Sequence, residues 1–502
     1  MTTIRSLWLL FGLTAVLLFG SAEACRSADD VPSPGKSERW QVIFMGKSRV
    51  GYSRSLIDEV EVDGAKRRVA EAEAVLAISR FGQTIKMKTL FKTRETLDGQ
   101  IERFSFELHN PPAAVNRTTG VVAGDVVKLE TEIDGQVTTA EKPWDPAIRG
   151  VAYQELDLKA NPLKPGETRK YTTYDPQYAK ADVVTMKVGD KTKVKLLGGR
   201  EEELLPVTVG HSVFAAIQSM EFLDDKGESQ KSTMSLLNTV AYTVGKEEAL
   251  KSLTGGEIDL GIATLVKLPR KLDNAQDTKK VVYKVTIAGA NPADVIQSGS
   301  PRTVEKLDAE SVRLTVESLR EPPPNAGIAE KPASEFLKAN SFLQTGDAKV
   351  IEYAKAAAGE ETDPWKIARA MEVWVHKNLR KKNFSTLLAS AGETARTLSG
   401  DCTEHAVLLA AMARVKEIPS RCVVGLVYVP KLNAFGGHMW TEVWINGTWM
   451  PLDATLGRGY VAAEHIKFGA SSFAGVGNAP LSEFTTMVTA LGNMRIEVLS
   501  AE

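Results

Sequence analysis

The sequence predicts a multidomain chain in which N-terminal antiparallel all-β domains precede a C-terminal α+β domain. Three observations predict it. Apolar and polar residues alternate with period two from Trp40 to about Leu253, a Pro322-Pro323-Pro324 run interrupts the chain, and helical periodicity takes over beyond it. At 502 residues the chain has room for several domains of ~150 residues each. Its 62 Lys and Arg against 63 Asp and Glu leave a net charge of −1, which draws it to neither nucleic acid nor an anionic membrane. Six His and three Cys exclude a disulfide scaffold and a multi-zinc module. No cofactor or metal site is expected, and the chemistry must rest on a few residues.

Residues 1–24 read as a secretory signal peptide. Arg5 supplies the positive start, Leu7 to Phe19 is an apolar run too short to span a bilayer, and Ala22-Glu23-Ala24 has the small-x-small form of a cleavage site. Cys25 follows at once and opens lipid anchoring as a second fate, which Glu23 disfavours. No later segment carries ~18 uninterrupted apolar residues. The expected mature protein is therefore exported to the periplasm or cell envelope, or secreted, without a transmembrane span. A thiol kept reduced in such an oxidising compartment points to function.

The first β domain is placed at residues 36–255. There Phe104, Phe106 and Leu108 alternate with Arg103, Ser105 and Glu107, and Asp63-Gly64, Asp98-Gly99 and Asp134-Gly135 supply hairpin turns. The flanks of these turns do not repeat, so a meander is expected rather than a propeller. A smaller β domain or extension is placed at 256–320, where Val312, Leu314 and Val316 alternate with Arg313, Thr315 and Glu317. A Pro-rich linker follows at 321–335. The α+β domain then occupies 336–502, with a helix starting at Thr362-Asp363-Pro364 and carrying Ile367, Met371 and Trp374 on one face.

Chemistry-bearing residues concentrate between 398 and 456. Gly400-Asp401-Cys402-Thr403-Glu404-His405 runs into an apolar helix, so Asp401 can cap it and Cys402 falls in its first turn. Unpaired N–H groups and the positive end of the helix dipole favour a thiolate there. Gly400 leaves room for a substrate backbone. Further on, Gly437 to Ile445 alternates as a strand and Asn446-Gly447 is a two-residue turn. That turn pairs Ile445 with Thr448, Trp440 with Asp453 and His438 with Thr455, so His438 and Asp453 become diagonal neighbours on one face. Trp440, Trp444 and Trp449 share that face and could wall it from water. Pro451 in the return strand allows a one-residue slip that would turn Asp453 away. Cys402, His438 and Asp453 thus make a Cys–His–Asp constellation of nucleophile, base and orienting carboxylate.

Four stretches resemble the transglutaminase-like superfamily: Gly400-Asp401-Cys402, Ile418-Pro419-Ser420-Arg421 running into Val424-Gly425, Gly437-His438-Met439-Trp440-Thr441-Glu442-Val443, and Trp449-Met450-Pro451-Leu452-Asp453-Ala454-Thr455. The resemblance covers roughly residues 340–470. It implies a papain-related fold with Cys402 as nucleophile, His438 as base and Asp453 as orienter. Glu417 stands where a glycine before Ile-Pro is usual, and Ala454 replaces a common proline. Calcium is not implied, because no acidic ligand loop is present.

Other residues compete. His405 lies three positions after Cys402 and is a rival base without an obvious carboxylate partner. Cys422 reads as a buried inert thiol, His376 as solvated, and Arg380-Lys381-Lys382 as a solvated helix end. His109, His211 and His465 stand apart in sequence. Trp365 and Trp374 are candidates for a second oxyanion donor, although core packing suits both better. Two functions follow: an exported thiol enzyme acting on amide or peptide bonds of a protein or peptide substrate, with hydrolysis favoured over acyl transfer to an amine, or a non-catalytic binding or scaffold protein that recognises an envelope partner with its β domains.

Overall fold

A computed structural model describes residues 36–213, 218–234, 238–253, 259–296, 299, 301–324, 332–475 and 493–502. The expected signal peptide, Cys25 and the centre of the Pro-rich linker lie outside these residues. The chain combines large N-terminal antiparallel β structure with a C-terminal α+β domain. No described helix is long and apolar enough to cross a membrane.

The N-terminal sheet has 15 strands. The first eight, from Ser37–Met45 to Gln136–Pro143, form a meander, and the last, Thr239–Val244, pairs with the first. Phe104, Phe106 and Leu108 are buried, as their alternation requires. Asp63-Gly64 and Asp134-Gly135 both turn through two positive φ angles, the geometry that tight hairpins favour. Two long strands of this sheet, β1 (Ala65–Arg80) and β2 (Gln83–Glu95), pair up to Arg80 and Gln83 and turn through Phe81-Gly82. Helix α1 (Val151–Ala160) packs on the sheet.

The remaining elements are β3 (Val266–Lys267), β4 (Lys280–Ile287), β5 (Arg302–Lys306), β6 (Ser311–Glu317), α2 (Ala348–Ala358), α3 (Pro364–Asn378), α4 (Ala391–Thr397), α5 (Cys402–Val415), β7 (Ser420–Val429), β8 (Ala434–Ile445), β9 (Thr448–Leu452), β10 (His465–Ser471) and β11 (Met494–Ala501). One sheet runs β3-β8-β7-β10 with β9 on β8, and another runs β5-β6-β4-β11.

This topology crosses the segmentation read from sequence. Residues 256–320 do not form a sheet of their own: β3 edges the sheet of the C-terminal domain, and β4 pairs with β11 from the end of the chain. The reason is burial. Val281, Tyr283, Val285 and Ile287 present an apolar row that must be covered, and period two says nothing about which distant strand completes the sheet. One apolar core consequently runs from Ile43 to Ile496 through all three regions.

Helix α5 is buried from Cys402 to Arg414, as an Ala- and Leu-rich helix apolar on all sides should be. Helix α3 starts as its sequence requires, with Asp363 capping the Lys366 N–H at 2.9 Å and Pro364 in the first turn.

Candidate active site

Asp401 and Glu404 form a reciprocal cap at the start of α5: Asp401 Oδ1 accepts the Thr403 N–H at 3.0 Å, and Glu404 Oε2 accepts the Asp401 N–H at 2.9 Å. Cys402 is therefore the first residue of a well-anchored helix. Gly400 does not open toward a substrate, as the sequence reading had it. A Cβ there would lie 2.4 Å from the Cβ of Glu404, so the glycine makes room for the cap itself.

Strand β8 supplies the opposite wall. Its hairpin with β9 has the register that Asn446-Gly447 predicts, from Ile445–Thr448 to Thr441–Leu452, and Pro451 is accommodated opposite Glu442 without a slip. The ladder stops at Leu452, just before the expected Trp440–Asp453 pairing. Even so, His438 Nε2 lies 2.8 Å from Asp453 Oδ2. On this edge β8 is paired with β3 only at Ala434 and Phe435 and with β9 only from Thr441 onward. In the gap between them, the Met439 N–H donates to the Cys402 sulfur. Cys402 and the His438–Asp453 pair are thus both placed along this interrupted stretch of the sheet edge.

Asp453 is the hub. Its Oδ1 accepts the N–H groups of Thr455 at 2.9 Å and Leu456 at 3.3 Å, and its Oδ2 faces Nε2 of both His438 and His465, the latter at 3.2 Å. Burial alone would raise its carboxyl, but the two imidazoles hold it well below the usual carboxylate range. An ionised carboxylate only accepts, so both rings donate to it from Nε2. Nδ1 of His438 and of His465 is buried without a hydrogen-bond partner among the described residues. The geometry leaves Nδ1 of His438 as the ring nitrogen that Asp453 does not engage.

The sulfur departs from expectation. Cys402 is 1% exposed. Burial, then the Asp401 carboxylate, push its thiol well above the ordinary cysteine value, while Arg80 and the Met439 N–H pull the other way. Burial outweighs the helix N-terminus, and the arrangement holds a neutral thiol rather than the expected thiolate.

Several other expectations change. His465, read as isolated, converges on Asp453. With His438 and Asp453 it offers three ligand atoms within 4.8 Å of one another, an imidazole–imidazole–carboxylate set able to hold a metal where none was expected. His376 is only half-solvated: its Nδ1 meets the Ala454 carbonyl at 3.1 Å and its ring fills the space over Gly457. Lys381-Lys382 is not a helix end but a short strand beside Ser399-Gly400. Trp440 alone of the three tryptophans packs against His438, at 6.1 Å, while Trp444 and Trp449 meet edge-on further along the hairpin.

The rivals have other partners. His405 is buried, with Nδ1 against the Asp401 carbonyl and its imidazole pushed down to about 3 by burial, so it stays neutral. Cys422 is buried and pushed up to about 12. Trp365 Nε1 donates to Glu321 at 2.9 Å, and Trp374 packs on Tyr353 at 4.3 Å. Glu417, where the resemblance leads one to expect glycine, has φ +59°, the left-handed conformation that glycine favours.

Two buried acids and bases went unread. Glu372 on α3 accepts the Gly459 N–H at 3.0 Å and is pushed up to about 8, chiefly by burial. Its sequence signal was legible, since it shares the apolar face with Ala368, Met371 and Val375. Arg80 ends β1 in the inward parity of Leu76 and Ile78, and it too is buried.

The C-terminal part of the chain carries a transglutaminase-like domain: residues 351–454 match the family model of the transglutaminase-like superfamily. An uncharacterized protein of Haemophilus influenzae is 34% identical over 97 residues, which cover 18% of this chain and 26% of that protein, so the chain spans about a quarter of the curated relative. Among solved structures, a proposed cysteine protease from Cytophaga hutchinsonii is 17% identical with a TM-score of 0.29, covering 45% of this chain and 90% of that one. The periplasmic domain of TgpA from Pseudomonas aeruginosa is 14% identical with a TM-score of 0.23, covering 36% and 91%.

Proposed function

We propose that the protein is an exported thiol enzyme that cleaves amide or peptide bonds in a protein or peptide substrate through Cys402, His438 and Asp453. The observation that carries this reading is the buried His438–Asp453 pair at 2.8 Å beside a helix start that presents Cys402 to the neighbouring Met439 N–H. From a neutral thiol, His438 Nδ1 takes the proton as the sulfur attacks the substrate carbonyl carbon. The Cys402 N–H contributes to holding the resulting oxyanion. The C–N bond then breaks, His438 returns the proton to the leaving amine, and a thioester remains. Water, deprotonated by His438, releases the acid and restores the thiol; an amine acceptor in its place would give acyl transfer. Asp453 keeps the proton-accepting tautomer of His438 in place throughout. The 1% exposure of Cys402 favours a second reading, in which the domain is a scaffold for an envelope-binding protein.

Iodoacetamide labelling across pH separates the two. Labelling is expected in the wild type with a midpoint alkaline of an ordinary cysteine, lost in Cys402→Ala, at least about tenfold slower in His438→Ala and unchanged in His405→Ala. Equal labelling of the wild type and His438→Ala contradicts the assignment, and dependence on His405 transfers the base role. An unfolded protein substrate in heavy-oxygen water with a dansylated amine then separates hydrolysis, which puts heavy oxygen into a new carboxylate, from amine transfer.

A further inference from the structure

The N-terminal sheet reaches the candidate centre directly. At the tip of the β1–β2 hairpin, the Arg80 guanidinium is 1% exposed and makes three contacts across the domain junction. One terminal nitrogen donates to the carbonyls of Phe384 at 3.3 Å and Thr386 at 3.4 Å, and the other pairs with Asp401 Oδ2. The hairpin is seated by more than this ion pair. Phe81 packs edge-on against Phe384 at 5.6 Å, Gln83 Oε1 accepts the Phe384 N–H at 2.7 Å, and Asn110 bridges the carbonyls of Lys86 and Ser385. Arg80 therefore clamps the two segments that flank Cys402: the loop at 383–389 and the cap of α5. Asp401 uses Oδ1 for the helix and Oδ2 for the arginine.

We propose that Arg80 is a positioning residue of the catalytic centre, and that the sheet that carries it is part of the active unit rather than a separable docking module. The inference rests on the thiol-enzyme reading of Cys402. Asp401 is a buried anion next to the nucleophile, and unopposed it would disfavour formation of a thiolate. Arg80 neutralises it and holds it in the capping geometry. A buried guanidinium suits both tasks, because its planar fork can bind a carboxylate and two carbonyls at once. The charged and titratable groups around Cys402 are Asp401, Glu404 and His405 on its own helix, Arg80 from β1, Lys382 from the strand beside Gly400, and His438 and Asp453 from β8 and the end of β9.

The experiment titrates Cys402 in the full-length chain by thiolate ultraviolet absorbance, with Cys402→Ala as the blank and circular dichroism to verify folding. Arg80→Ala is expected to raise the thiol midpoint by about one pH unit, making thiolate roughly tenfold scarcer at a fixed pH below it. Arg80→Lys keeps the charge and should leave the midpoint near wild type. Adding Asp401→Asn to Arg80→Ala removes the stranded anion while retaining a capping side chain, and should return the midpoint toward wild type. Gln83→Ala, which loosens the seat without touching charge, should not move it. A wild-type midpoint in Arg80→Ala, or a shift equal in Gln83→Ala, overturns the Arg80 role alone. If Arg80→Ala does not fold, the Arg80→Lys and single Asp401→Asn variants decide: the former unshifted and the latter lowered supports the role, and any other result overturns it. Absence of a Cys402-dependent titration in the wild type sinks the thiol-enzyme reading itself.

Discussion

Each half of the molecule builds a buried His–Asp pair, and the two are put to different uses. In the N-terminal sheet His211 Nδ1 lies 2.6 Å from Asp182 Oδ2, both residues being buried on neighbouring strands, while Ser212 Oγ and the Val213 N–H complete the carboxylate. In the C-terminal domain His438 presents Nε2 to Asp453, which His465 and two backbone N–H groups complete. Both aspartates are held below the ordinary carboxylate range against the pull of burial. The pair alone is thus not a catalytic signature. What separates the second is a thiol at a capped helix start, delivered by a different segment to a gap in the sheet edge.

The largest expected effect breaks this contrast outright. His438→Ala should lower turnover of an amide substrate by about 10²–10⁴-fold, the usual contribution of a positioned acid–base group. His211→Ala should leave Cys402 labelling within about twofold of wild type while removing about 3 kcal/mol of stability, because it strands a buried carboxylate. Equal losses of labelling in the two variants would erase the distinction.

A smaller effect sharpens the role of the second imidazole. His465→Phe removes one of four donors to Asp453 and should reduce His438-dependent labelling by about tenfold, the scale of a hydrogen bond to a charged group. His465→Gln, which can still donate, should recover most of it. A His465→Phe variant that matches wild type would reduce this ring to packing.

The last effect is one of pH. Glu372 keeps its proton up to about 8 in the folded chain but titrates near 4.5 when unfolded, so the folded state binds the extra proton between those values. Its stabilising contribution is complete below the unfolded value and is lost as pH rises through about 8. Asp175 and Glu221, pushed up to about 7, act in the same direction. Glu372→Gln should therefore flatten the fall of stability with pH by up to ~1.4 kcal/mol per unit, measured by denaturant unfolding between pH 5 and 8. An unchanged slope would place that proton elsewhere.

What could be read in advance follows from local rules. The Asn446-Gly447 turn sets the β8–β9 register, because Asn followed by Gly holds two positive φ angles cheaply, here +48° and +81°. Asp401 before an apolar helix places Cys402 at its first turn. Glu372 and Arg80 were legible as polar residues at inward positions of a helix and a strand, but parity does not name the partner that compensates them.

The sequence by itself determined the alternating β structure, the capped helix and the hairpin that brings His438 toward Asp453, because each depends on residues close along the chain. Only the tertiary structure decided that His465 joins Asp453, that β11 completes the sheet of β4, that Arg80 meets Asp401, and that Cys402 is sealed as a thiol. Those outcomes depend on contacts between distant segments and on how much water the packing excludes, and local periodicity encodes neither.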